Sequence, residues 1–235
     1  MEIKIGIAKT NKYAVAISGD SVEVTERPQG GVSVILADGQ GSGRSAQLAS
    51  RMVVAKAAVL IAEGVRDGAV ARTVHDYLYM FKDGKVSATL TLMSVDLDSQ
   101  TLVFCRNSNC PVIIKQNHGI DVYDEEVASI GVHKRMKPLT VQLPLEEGLI
   151  AVTYTDGIQH SGRRRGNEIT QTQLLKLIEK TKAEDVDALA QAILDQALLL
   201  DQNMPGDDMT VVVVGICQKE RQDLSVRRMV FSLPC

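Results

Sequence analysis

Four aspartates stand where short apolar stretches meet glycine. Asp20 closes a strand expected over residues 13–18, in Ser18-Gly19-Asp20-Ser21. Asp38 ends the run Val32, Val34, Leu36, in Ala37-Asp38-Gly39-Gln40-Gly41-Ser42-Gly43. Asp156 ends residues 149–155, in Thr155-Asp156-Gly157. Asp207, followed by Asp208, opens the last apolar run, in Gly206-Asp207-Asp208-Met209-Thr210. Carboxylates on rigid strand ends suit hard cations, because Mg²⁺ and Mn²⁺ prefer oxygen ligands and retain waters. Neighbouring glycines let backbone carbonyls approach an ion. Gathering several carboxylates without a cation is costly, since like charges raise one another's pKa. Convergence would therefore imply metal. Any one Asp-Gly pair is an ordinary turn; the four together carry the reading.

The elements that must position these residues follow from hydrophobic period. Alternation at Ile3, Ile5, Ile7, at Tyr13, Val15, Ile17 and at Val32, Val34, Leu36 predicts three strands, with a turn at Pro28-Gln29-Gly30-Gly31. Residues 44–63 read as a helix that is apolar almost all round, stopped by Gly64, and a second helix covers 69–81. Strands return over 89–97, with a phase slip at Leu92-Met93 that means a bulge or burial on both faces, and over 101–105, 112–115, 139–143 and 149–155. Thr170 with Gln173 and Thr181 with Glu184 have capping-box spacing ahead of two helices, and 209–217 is a closing strand. Strand and helix blocks are segregated, which predicts an α+β fold, antiparallel sheet with helices outside. Residues 1–217 read as one domain and 218–235 as a charged linker with an extra strand or docking tail.

The composition narrows the function. Aromatic residues make up 3% of the 235-residue chain and Trp is absent, so stacking platforms for bases or sugars are not expected. The 26 basic and 29 acidic residues are interspersed, which gives no footprint for nucleic acid. The start carries no signal-peptide pattern and no stretch reads as a bilayer span, so the expectation is a cytoplasmic protein without a membrane partner. Cys105, Cys110, Cys217 and Cys235 form no CxxC pair and read as reduced thiols.

The quoted motifs, in their order, resemble the metal-dependent protein phosphatases of the protein phosphatase 2C type, nearest to the bacterial branch of stage II sporulation protein E and the stress-response regulator phosphatases. Ser87-Ala88-Thr89-Leu90 and Asn107-Ser108-Asn109-Cys110-Pro111 are weaker matches, and the set covers residues 10–217. The resemblance implies a central antiparallel β-sandwich flanked by pairs of helices, with two Mn²⁺ or Mg²⁺ ions at one edge. It implies that Asp38 bridges both ions, that the Gly39 carbonyl helps bind one, that Asp20 acts directly or through water, and that Asp156 and Asp207 complete the shells. Asp208 stands where many relatives have Asn. The implied reaction is hydrolysis of phosphoserine or phosphothreonine on a protein by a metal-activated water, and the implied substrate is a bacterial regulator such as an anti-sigma antagonist. The chain departs at Gln40 from eukaryotic relatives, which often carry there a His that is the usual candidate general acid, and no N-terminal phosphate-gripping Arg is matched.

Two rival readings are weighed beside this one. Gly41-Ser42-Gly43-Arg44-Ser45-Ala46 fits a dinucleotide-binding turn, but a second helix follows where that fold needs a parallel strand. A phosphatase-like binding or scaffold domain with little activity is the other alternative, opposed by the presence of all four aspartates. Arg163-Arg164-Arg165 could grip an acidic protein surface or be a solvated loop, and His160 could be an acid or a surface histidine.

Overall fold

The computed structural model describes residues 1–218 and 229–230. Two five-stranded sheets face one another. The first has the order β1 (Glu2–Thr10), β10 (Met209–Cys217), β9 (Ile150–Tyr154), β6 (Val112–Gln116), β7 (Gly119–Tyr123). The second runs β2 (Asp20–Glu26), β3 (Gly31–Asp38), β4 (Leu90–Asp96), β5 (Thr101–Asn107), β8 (Leu139–Pro144). All neighbours are antiparallel. Helices α1 (Gly43–Ala62) and α2 (Asp67–Phe81) cover the second sheet; α4 (Gln171–Lys180) and α5 (Val186–Leu200) cover the first; α3 (Asp156–Gln159) is a single turn after β9. This is the helix–sheet–sheet–helix layering expected.

Strand alternation divides the apolar residues among three cores. On β4, Leu90 and Leu92 face α1 and α2, whereas Met93 and Val95 face the other sheet. The phase slip at Leu92-Met93 is thus burial on both faces, in a ladder of unbroken register. On β10, Val211 and Val213 pack under α5, and Val212, Val214 and Ile216 fill the sandwich. Each fully buried Val, Leu or Ile contributes roughly 1.5–3 kcal/mol, so these cores dominate the fold. A buried polar contact adds orientation: Asp67, at the start of α2, accepts Arg27 Nη1 at 3.3 Å and the Ser94 hydroxyl, which fastens the helix N-terminus to the sheet. A carboxylate there also matches the helix dipole.

Several expectations need correction. Residues 13–18 form a loop, not a strand: Ala14 has φ 60°, and the N–H groups of Lys12 and Tyr13 bond Asp208 and Pro205 instead of a neighbouring strand. Asp20 therefore opens β2 and does not close an earlier strand. Helix α1 is not buried all round; Ala46, Ala49, Val53, Ala57 and Ile61 are buried, but Leu48 and Val59 are about half exposed, because only one side meets the sheet and α2. By length and composition α1 could cross a membrane, contrary to the sequence expectation, yet it lies packed along β2 and β3. Strand β7 was not anticipated. Thr170 and Gln173 form the expected capping box, but Thr181 ends α4, its hydroxyl donating to Leu177 O, and α5 starts from Asp185. Cys105, Cys110 and Cys217 are buried free thiols. The tail expected over 218–235 lies, except for residues 218, 229 and 230, outside the described residues.

Candidate active site

The two sheets each bring two strand ends to one rim of the sandwich. In the second sheet Asp20 and Asp38 are direct partners across the β2–β3 ladder. In the first, β9 leads into Asp156 and the neighbouring β10 starts just after Asp207-Asp208. The sheets are stitched together at this rim. Thr155 Oγ1 and Thr210 Oγ1 donate to Asp20 Oδ2 at 2.8 and 2.6 Å, and Thr210 N–H donates to Thr155 Oγ1 at 2.9 Å. Asp20 is 3% exposed. Its carboxylate thus anchors the interface between sheets, while Lys9 Nζ donates to its backbone carbonyl at 2.7 Å.

Asp38 is half-buried and held by its backbone: its N–H donates to Thr89 Oγ1 at 3.1 Å and its carbonyl accepts from Thr89 N–H at 2.8 Å. Gly39 follows because no other residue fits; a Cβ there would lie 2.0 Å from the Ala46 carbonyl oxygen. Gly157 is required for the same reason, with the Asp208 carbonyl oxygen 2.1 Å from where its Cβ would be. These approaches draw the Asp38 loop onto α1 and the Asp156 turn onto Asp208. Asp156 and Asp207 reach solvent. Gln40 is exposed, and its Oε1 accepts Ser87 N–H and Oγ at 3.2 and 2.9 Å, so it braces Ser87 and has no acid proton to give.

The electrostatics report the convergence. Burial pushes Asp38 up to about 9, reinforced by Asp20, Asp156, Asp207 and Asp208. Burial raises Asp20 to about 6 against the opposing hydrogen bonds of Thr210 and Thr155 and the charge of Lys9. Asp156 is raised by burial and by Asp207, and lowered by His160. The Cys110 thiol is pushed up to about 12 by burial and by Asp156.

So many mutually repelling carboxylates fit a divalent-cation centre: every donor is a hard oxygen, and a cation would remove the repulsion. Among the described residues no three His, Cys, Asp or Glu side chains already close on one ion.

The chain matches the family described as Stage II sporulation protein E (SpoIIE) over residues 28–216, most of its length. It belongs to the SpoIIE family. The chain is 22% identical over 214 residues to stage II sporulation protein E of Bacillus subtilis, covering 91% of this chain but 26% of that protein; for the Priestia megaterium protein the covered share is 36%. The solved structure of the Bacillus subtilis SpoIIE PP2C phosphatase domain with a fragment of its regulatory domain superposes with a TM-score of 0.80 at 22% identity, over 92% of this chain and 64% of that one. The Mycobacterium tuberculosis serine/threonine phosphatase PstP gives 0.73 at 15% identity over 93% and 100% of the two chains. RsbX in complex with magnesium gives 0.70 at 18% over 91% and 94%. The fold is that of the PP2C phosphatases.

Within this SpoIIE-family site, sequence reasoning missed the residues that hold it in shape. Thr155 and Thr210 lie inside motifs already singled out, but a hydroxyl's partner 135 or 190 positions away leaves no local signal. Asp208 reads from the sequence as the neighbour of Asp207 and as a departure from relatives with Asn; in the structure it fastens the loop at residues 12–19. Asp201, at the end of α5, gave no signal at all. It is 6% exposed and accepts Gly162 N–H and Gly206 N–H.

Proposed function

We propose that this chain hydrolyses phosphoserine or phosphothreonine on a protein, using two Mg²⁺ or Mn²⁺ ions held by Asp38, the Gly39 carbonyl, Asp156 and Asp207, with Asp20 beside them. The observation that carries this reading is the register pairing of Asp20 with Asp38 at the rim where Asp156 and Asp207 arrive from the other sheet, in a chain of the SpoIIE family. When bound, the ions would supply Lewis-acid activation of water and neutralisation of phosphoryl charge.

The chain's own residues do the positioning. Thr89 fixes the Asp38 backbone. Thr155 and Thr210 keep the Asp20 carboxylate turned into the sheet interface. Asp208 fixes the loop that carries Tyr13 beside the site. Gln40 braces Ser87 and has no acid proton to give to a leaving serine oxygen, so it does not serve as the general acid. Asp156 and Asp207 open to solvent at a rim, which suits a phosphorylated side chain presented on a protein surface.

The substrate we propose is a bacterial signalling regulator, such as an anti-sigma antagonist; membership of a family named for a sporulation protein supports that class. The test is metal-dependent release of phosphate from a phosphoserine peptide. Saturable metal binding without turnover would instead favour a phosphatase-like binding domain.

A further inference from the structure

Three consecutive arginines stand on a rigid turn at the edge of this rim. Residues Arg163–Arg165 form a 3-10 turn between Gly162 and Gly166, both left-handed (φ 78° and 71°). The turn is closed by Arg165 N–H to Gly162 O at 2.9 Å and Asn167 N–H to Gly162 O at 3.2 Å, and Ile169 N–H returns to Ser161 O at 3.1 Å. It is also fastened to the acidic site. The buried carboxylate of Asp201 accepts Gly162 N–H at 2.8 Å with one oxygen and Gly206 N–H at 3.0 Å with the other. Gly206 immediately precedes Asp207. Arg164 lies over that same glycine, its Nη2 3.4 Å from the Gly206 carbonyl oxygen and its guanidinium carbon 3.2 Å from where a Cβ would stand. A charge run that served only solubility would need no such tether.

The other two guanidinium groups are available. Arg163 pairs with Glu168 at 3.3 Å, but both are exposed, and such pairs are worth little. Arg165 has no side-chain partner among the described residues, and its side chain is exposed. We propose that the Arg163–Arg165 turn is a docking determinant for an acidic segment flanking the phosphorylated residue of the protein substrate. The proposal rests on the phosphatase reading above. The recognising chemistry is the bidentate pairing of guanidinium with carboxylate. The chain as a whole is acidic, at net charge −3, and its site is lined with aspartates, so an acidic partner needs a local attraction of this kind to approach.

The experiment uses two phosphoserine peptides that differ only in flanking residues, Glu in one and Lys in the other. The ratio of their kcat/KM is read within each protein, so any general loss of activity cancels. Wild type is expected to favour the acidic peptide by about two- to tenfold, the worth of two exposed charge pairs acting together, and the preference should shrink with added salt. In Arg163→Ala/Arg165→Ala the ratio should fall to about one, and in Arg163→Glu/Arg165→Glu it should invert. A ratio unchanged in both variants would overturn the proposal and leave the arginines as local balance for Asp156 and Asp207. Failure of wild type to hydrolyse either peptide or p-nitrophenyl phosphate would count against the phosphatase reading instead. The same ratio, taken from fluorescence-anisotropy binding of the two peptides, then decides the docking claim on its own.

Discussion

The Asp208 carboxylate accepts the backbone N–H of Gly19 at 2.6 Å, and with its other oxygen it accepts that of Lys12 at 2.8 Å. One side chain thus brackets both ends of the loop before Asp20, and Tyr13 N–H adds a bond to Pro205 O at 2.9 Å. The carboxylate is what makes this possible, because an amide at the same place offers an acceptor to only one of the two N–H groups.

Replacing Asp208 should therefore cost stability in a graded way. Asp208→Ala leaves two N–H groups without their acceptor, at about 1–3 kcal/mol for each that is not rehydrated. Asp208→Asn removes the same charge but keeps one acceptor. Relief of repulsion with Asp38 is common to both, so the comparison isolates the hydrogen bonds. Thermal melts should place Ala below Asn by roughly 2–4 °C per kcal/mol for a chain of this size; equal melting temperatures would contradict the clamp.

The sheet interface at Asp20 makes a second prediction. Thr155→Val/Thr210→Val keeps the shape but removes both hydroxyl donors to a buried carboxylate. Hydrogen bonds to charged groups are worth about 1.5–3 kcal/mol each, and their loss should lift Asp20 further above its ordinary pKa. Urea denaturation at pH 8 should show the double variant destabilised by at least about 2 kcal/mol. A change within error would mean that Asp20 is not held by these threonines.

The carboxylate cluster sets a pH dependence whose sign is opposite to that of an ordinary salt-bridged aspartate. In the metal-free protein Asp38 titrates near 9, Asp20 near 6, and Asp156 is also raised, whereas unfolded carboxylates titrate near about 4. The native state therefore holds more protons than the unfolded state between those values, and stability falls as pH rises. The contribution is fully present below about pH 4 and lost as pH climbs through about 9. Melts in chelator should show this group's effect as a lower melting temperature at pH 8 than at pH 6. Saturating Mg²⁺ should raise the melting temperature more at pH 8, because protons compete with the ion and only the native state binds it. A metal-induced gain that is larger at pH 6 would contradict the cluster.

The sequence made the chemistry legible because Asp38 and Asp156 each stand at the end of an apolar strand run, Asp207 stands just before another, and the resemblance ordered the motifs. Asp38 and Asp156 needed no more than that. It misled at residues 13–18, where Tyr13, Val15 and Ile17 satisfy the strand template, yet the loop's N–H groups are taken by Asp208 and Pro205, nearly two hundred positions away. The apolar surface of α1 suggested full burial, but it is an outer-layer helix with one side on a sheet. Thr181 and Glu184 match a capping box in spacing alone; the Thr181 hydroxyl turns back to Leu177 O and ends the previous helix instead. What could not be read was the second layer of contacts: Thr155, Thr210, Asp201 and Asp208 act on partners fixed only by the meeting of the two sheets.

The central claim is that Asp38 anchors a hydrolytic metal centre. The most direct test is p-nitrophenyl phosphate hydrolysis with Mn²⁺, with Mg²⁺ and with chelator, comparing wild type with Asp38→Ala. The account predicts metal-dependent turnover in wild type that falls by at least a hundredfold in the variant, an expectation scaled to about 2.7 kcal/mol of lost transition-state stabilisation. The variant should still fold, and in chelator it should melt no lower than wild type, since the substitution removes a half-buried carboxyl held far above its ordinary pKa. Turnover in Asp38→Ala close to that of wild type, or turnover indifferent to chelator, would contradict the account.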